Sequence, residues 1–137
     1  MNKNDRPPIM SLDLDLLSAS FAVCRLAPGL PVPAWAEKGD LVSITRTTDE
    51  LSIVCAEDQV PGEIRSERDF RVLKIRGPLD FSLTGVLAGL AGPLAEAGIS
   101  LFAVSTFDTD YILVKQDQLG RAAEILIREG HNVLPGA

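Results

Sequence analysis

Gly98-Ile99-Ser100-Leu101-Phe102-Ala103-Val104-Ser105-Thr106-Phe107-Asp108-Thr109-Asp110-Tyr111-Ile112-Leu113-Val114 is the stretch from which the fold can be read. Apolar and β-branched residues fill two arms, 99–104 and 111–114. Ser105, Thr106, Asp108, Thr109 and Asp110 crowd the segment between them, where short side-chain oxygens bond local backbone donors. The pattern predicts a hairpin with a polar tip. Upstream, Leu83, Val86, Leu87, Leu90 and Leu94 recur at three- and four-residue steps, the spacing of one helix face, with Asp80 or Ser82 placed to cap the start. Before that, Val72, Leu73 and Ile75 stand among Arg71, Lys74 and Arg76 in a strand-like run over 70–76, which Gly77-Pro78 ends because proline lacks a ladder donor. Downstream, Leu119, Ala122, Ala123, Leu126 and Ile127 mark an amphipathic helix over 118–128 with Gly130 at the position that favours a left-handed cap. A last strand over 131–134 follows. The order across 70–134 is strand, helix, strand, strand, helix, strand.

The first half of the chain reads as a smaller lobe. A strand over 20–26 is followed by Pro28, Gly29, Pro31 and Pro33, which leave room for about one helical turn at 34–38. Runs at 41–46 and 51–56, joined by Thr47-Thr48-Asp49-Glu50, form a second hairpin. Residues 57–68 are polar, contain Pro61 and Gly62 and show no apolar period, so they read as a connector. Gly85, Gly89 and Gly92 each cost a helix about 1 kcal/mol relative to alanine, which calls for close backbone approach, most simply of the helix onto the sheet.

Composition narrows the functional classes. With 137 residues, 46% hydrophobic and 23% charged, the chain builds one modest core or two small coupled lobes. A net charge of −6, with Lys and Arg scattered singly, argues against nucleic acid, since polyanion binding needs clustered cations. No apolar run approaches the length of a membrane span, and the first ten residues lack the pattern of a signal peptide, so a cytoplasmic location is expected. Cys24 and Cys55 lie in separate strand-like runs and read as buried thiols, and His131 reads as structural, on the surface or half-buried. Two cysteines and one histidine make no metal site, and there is no phosphate-cradling glycine loop or nucleophile–base signature. No cofactor and no catalysis are expected.

The element order, with the run AEAGISLFAVSTFDTDYILV at 95–114, resembles the ACT domain, a small regulatory fold that binds amino acids at module interfaces. It is most similar to the modules of CASTOR-type arginine sensors and related bacterial tandem-ACT proteins. The resemblance implies an α+β, ferredoxin-like βαββαβ fold in two lobes, the N-terminal copy truncated. The expected division is a flexible N-terminus at 1–13, an abbreviated lobe at 14–62, a linker at 63–69 and a complete module at 70–137.

Two segments match where such modules hold their ligand. One is Gly77-Pro78-Leu79-Asp80 with Ser82, at the turn from strand into helix, where unpaired N–H groups and the positive helix end suit a carboxylate. The other is the tip, where Thr106, Phe107 and Asp110 match the sensors' pocket segment and Asp110 suits an ammonium or guanidinium. The implied ligand-binding residues are therefore Gly77, Asp80, Ser82, Thr106, Phe107 and Asp110. Leu83 and Thr84 stand where a second acid for a basic side chain would be sought. The function implied is a non-enzymatic regulatory sensor of an amino acid or similar small effector, working as a homodimer or with a protein partner. The alternative is a structural assembly module whose ligand site is vestigial.

Overall fold

Strand β5, Ser66–Ile75, is long enough to be shared by both halves of the chain, and the architecture follows from who occupies its two edges. The computed structural model describes residues 11–77 and 85–136. Along one edge, the start of β5 pairs with β2 (Phe21–Leu26) and its end with β1 (Asp13–Leu16), both antiparallel. Along the other edge lies β7 (Asp110–Lys115), itself paired with β6 (Phe102–Ser105). The hairpin of β3 (Ser43–Arg46) and β4 (Leu51–Ala56) continues the sheet beyond β2, and β8 (Asn132–Pro135) lies outside β1. Helices α1 (Val86–Glu96) and α2 (Leu119–Arg128) complete the order β5-α1-β6-β7-α2-β8. This is the α+β, ferredoxin-like arrangement expected from the sequence, within one eight-stranded sheet.

Strand β1 departs from the expectation for 1–13 and 14–62. Asp13 is already in a strand, and β1 belongs to the sheet of the C-terminal half rather than to the first lobe. It sits between β5 and β8, antiparallel to the first and parallel to the second, and so takes the place beside β5 that the last strand of a simple βαββαβ unit would fill. The signal was present in the alternation Leu12-Asp13-Leu14-Asp15-Leu16: leucine faces the helices and aspartate the other side. The linker expected at 63–69 is likewise replaced, because β5 starts at Ser66. Its beginning looks polar because it carries a bulge. Asp69 has φ 64°, and the register against β2 slips where three steps on β5 meet two on β2. The Asp69 N–H donates to the Glu57 carboxylate at 2.6 Å, and the Arg68 guanidinium donates to the Val60 and Pro61 carbonyls, so the connector is fastened to the bulge.

Parity sorts the side chains of the sheet into three buried groups. Leu14, Leu73, Ile75, Ile112 and Val114 face the helices and meet Leu90, Leu94, Ala122 and Leu126. On the reverse face Val72, Val104 and Leu113 meet Phe21, Leu41 and Val54 of the first half. Ala22, Cys24, Leu51, Ile53 and Cys55 form a third group under Ala36 and Trp35 of the proline-rich loop. Both cysteines are buried free thiols, as the sequence suggested, and the hydrogen bond to Cys24 together with burial pushes the Cys55 thiol up. The first lobe thus shares its core with the second. Burying each large apolar side chain contributes about 1.5–3 kcal/mol, too little for three strands alone to offset chain ordering.

Both helices end in the same device. Gly98 and Gly130 take positive φ, and the bonds Gly98 N–H to Ala95, Ile99 N–H to Leu94, Gly130 N–H to Ile127 and His131 N–H to Leu126 are the paired closures of a Schellman cap. Two details differ from the sequence reading. Gly89 and Gly92 are exposed with open space where a Cβ would stand, so close helix-on-sheet contact is not their reason. Ile127 is also exposed, and Ile125 packs in its place.

The second cap delivers His131 into the core, 3% exposed, deeper than the half-buried position expected. Its Nδ1 accepts the Leu12 N–H at 3.2 Å, which places the proton on Nε2. Ser11 Oγ donates to the Gly130 carbonyl at 2.8 Å and the Asn132 N–H to Leu12 at 2.9 Å, so the start of β1 is laced to the cap.

Two predictions follow from this packing. Leu14→Ala removes a fully buried side chain from a strand that the sequence placed near a flexible tail. Urea unfolding should show a loss of about 2–5 kcal/mol, and a change near zero would mean that β1 is not integral to the fold. The second concerns acid. Desolvation by burial holds the His131 imidazole below the usual histidine range, with Glu129 opposing it. On acidification the unfolded chain therefore takes the proton first. The stability tied to His131 is intact above pH about 6.5 and is lost as pH falls through the lowered folded-state value. His131→Asn keeps a side-chain acceptor for Leu12 without a titrating group. Its stability between pH 7 and pH 5 should fall less steeply than that of the parent chain, and parallel profiles would dismiss the imidazole as the cause.

Candidate functional site

The tip of the β6–β7 hairpin is built by two threonines. Ser105 pairs with Asp110 at the base, and the Thr106 N–H and Oγ1 both donate to the Thr109 carbonyl, at 2.8 and 3.0 Å. The Thr109 N–H returns a bond to Thr106 Oγ1 at 3.3 Å. Phe107 and Asp108 are left at the apex, with Phe107 81% exposed. Thr109 itself is buried, and its hydroxyl donates to the Ile75 carbonyl at 2.7 Å. That bond ties the tip to the end of β5, two residues before Gly77. The tip is therefore fixed beside the strand end from which Gly77 continues.

Of the six residues, Thr106 and Phe107 lie in the turn, Asp110 opens β7, and Gly77 lies exposed just past β5. Asp110 is half-buried and has the parity of Ile112 and Val114, which puts it on the helix-covered face. Asp80 and Ser82 lie outside the described residues. Among the described residues, helix α1 starts from Gly85, with φ 76° and no side-chain cap bond at that residue. Among the described residues no cluster of His, Cys, Asp and Glu is arranged to hold a metal ion. No described helix is long and apolar enough to cross a membrane.

Sequence reading passed over the charges on the opposite face of the same strand ends. Asp15 comes to Lys74 and Arg76 only because β1 is inserted beside β5, whereas the sequence reading placed Asp15 at the start of the abbreviated lobe.

Comparison with known proteins fits this geometry. An ACT domain model matches residues 65–128, the span from the start of β5 through α2. Residues 65–128 belong to the ACT domain family. A second model, describing an N-terminal domain, matches residues 19–63 of this ACT protein. The human cytosolic arginine sensor for mTORC1 subunit 1 is 45% identical over 60 residues, which are 43% of this chain and 18% of the sensor. The ACT protein thus spans less than a fifth of that relative. A crystal structure of a protein from Agrobacterium tumefaciens superposes with a TM-score of 0.89 at 40% identity, covering 94% of this chain and 96% of the other. Aspartate kinase from Synechocystis shares the fold, with a TM-score of 0.66 at 17% identity over 91% of this chain and 28% of the kinase.

The bond that joins the tip to the strand end is open to test. Thr109→Val keeps the shape and removes the hydroxyl, leaving the Ile75 carbonyl one donor short in a buried place. Chemical denaturation should register a loss of about 1–3 kcal/mol, and amide NMR shifts should move at both Phe107 and Gly77. Shifts confined to the turn would mean that the tip and the strand end are not coupled.

Proposed function

We propose that this ACT protein is a regulatory binding protein for a free amino acid, held at the end of the sheet by residues of the 106–110 turn and of the segment 77–82. The observation that carries the reading is the Thr109 hydroxyl bond to the Ile75 carbonyl, which fixes a tip rich in polar groups against the strand end. The identity shared with a protein named as an arginine sensor supports the ligand class. Backbone groups of Gly77 and Thr106, with Asp80 and Ser82, take the α-carboxylate and α-ammonium. Phe107 covers the ligand, and Asp110 pairs with a cationic group by a charge-assisted bond. A second copy or a protein partner completes the site and receives the signal. Binding shifts the population of an assembly that holds the ligand better, which requires different affinity for the two states.

Melting the purified protein with each of the twenty amino acids tests this directly. A ligand at 100 times its dissociation constant adds about 2.7 kcal/mol, which raises the midpoint by about 5–10 °C in a domain of this size. A selective rise that Asp110→Ala abolishes, with the unliganded midpoint nearly unchanged, is the expected result. No rise with any amino acid at millimolar concentration would turn the reading to an assembly module, for which the outer strands β3 and β6 offer unpaired sheet edges.

A further inference from the structure

On the face of the sheet turned away from the helices, the ends of β1, β5 and β7 carry charge and a tyrosine where the rest of that face carries core. Asp15, Lys74 and Tyr111 are direct cross-strand neighbours in three adjoining strands. With Arg76 and Asp40 they line a cleft of about 400 Å³. That volume falls in the range of small-molecule sites, roughly 300–1,000 Å³.

The register sets Asp15 opposite Lys74, and yet the two do not pair. Asp15 is taken by the Arg76 guanidinium at 2.6 and 3.2 Å, with Asp13 a further 3.8 Å partner of the same arginine. Those hydrogen bonds hold the Asp15 carboxyl below the usual carboxylate range, so the pair is ionised, with Arg76 shared between Asp15 and Asp13. The Lys74 ammonium stands 5.9 Å over the Tyr111 ring, and it makes no ion pair among the described residues. Asp40, carried to the cleft by the turn that leads into buried Leu41, makes none either. Lys74 and Asp40 thus share one cleft without an ion-pair partner among the described residues, Lys74 still near enough to Asp15 to help hold its carboxyl down, and Leu17 and Pro135 form the apolar wall.

This pattern selects among ligands. A simple anion drawn to Lys74 meets Asp40, and a simple cation drawn to Asp40 meets Lys74. A molecule with both charges a few ångströms apart satisfies each. We propose that this cleft is a second binding site, for a small dipolar ion: a free amino acid with an apolar side chain, its carboxylate on Lys74, its ammonium on Asp40 and its side chain against Leu17 and Pro135. Asp110 belongs to the opposite face of the sheet, so this site stands or falls separately from the one proposed above.

Tyr111 is the chain's sole tyrosine, which makes 3-fluorotyrosine labelling a single-resonance probe of the cleft. Titration with L-leucine should move the fluorine signal saturably. Lys74→Met and Asp40→Asn should each weaken that binding at least tenfold, while Asp110→Ala leaves it intact. Isovalerate and isopentylamine, each with one of the two charges, should give no saturation. Lys74→Arg, with its charge kept, should bind and serves as the control if Lys74→Met melts early. No saturable shift, or a shift that survives both Lys74→Met and Asp40→Asn, overturns the proposal. A shift lost only in Asp110→Ala places L-leucine at the hairpin site and also overturns it.

Discussion

The insertion of β1 between β5 and β8 is the constraint on which the remainder of the structure depends. In a plain βαββαβ unit the last strand closes against the first, and the sheet needs nothing from outside. Here β8 has no contact of that kind and is held through β1, whose parallel ladder with β8 and antiparallel ladder with β5 share Leu14, Asp15 and Leu16. A four-residue strand makes few hydrogen bonds, and an exposed strand of that length would fray. It holds because both edges are paired, because Leu12 and Leu14 are buried under the helices, and because the α2 cap sends His131 to accept the Leu12 N–H. One consequence is that the N-terminal segment and the C-terminal cap form a single unit, 119 residues apart in sequence.

The same constraint binds the halves together. Since β1 and β2 occupy one edge of β5, the chain must pass from one to the other within residues 17–20, and the Asp69 bulge accommodates the change in twist where β2 begins. Arg71 fastens the crossing by donating to the Leu17 carbonyl at 3.0 Å, and the Leu17 N–H donates to Val72 at 2.9 Å. The first lobe is thereby placed over the reverse face of the ACT sheet, where Phe21, Leu41 and Val54 cover Val72, Val104 and Leu113. A face that would otherwise be wet becomes core along most of its length, and stays charged only at the far end.

How much of this was legible in sequence depended on range. The hairpin at 102–115, both amphipathic helices and the glycine stops are written in local chemistry: side-chain alternation, three- and four-residue spacing, and a residue that tolerates positive φ. β1 was also written locally, in the leucine and aspartate alternation from Leu12 to Leu16, but four residues beside a polar terminus carry little weight without a partner strand, and both partners lie about 60 or more residues away. The polar run that reads as a linker is strand because Glu57 takes the Asp69 N–H at the bulge and β2 pairs alongside, partners that no window of ten residues contains. The site divides in the same way. Thr106, Phe107 and Asp110 stand out as a turn, whereas the part of Thr109 is visible only once its hydroxyl is seen on Ile75, and the cleft over Lys74 exists only because β1 brings Asp15 to Arg76.

The end of β5 is consequently a junction. Within two successive residues, the Ile75 carbonyl receives the hairpin tip, the Arg76 N–H donates to Asp13 at 2.8 Å, and the Arg76 side chain grips Asp15. Asp110 opens onto one face of this junction and Lys74 onto the other. A ligand that draws Asp110 or Thr106 toward itself pulls on Thr109 and hence on Ile75. A ligand on Lys74 works on the neighbouring position of the same strand. Both proposed sites border the segment that pairs with β1, and β1 in turn pairs with β8. Any difference in affinity that one ligand has for two positions of this strand end must appear, by reciprocity, in the affinity of the other. The two faces of the sheet thus share one element, three residues of one strand that hold the hairpin tip on one side and β1 on the other.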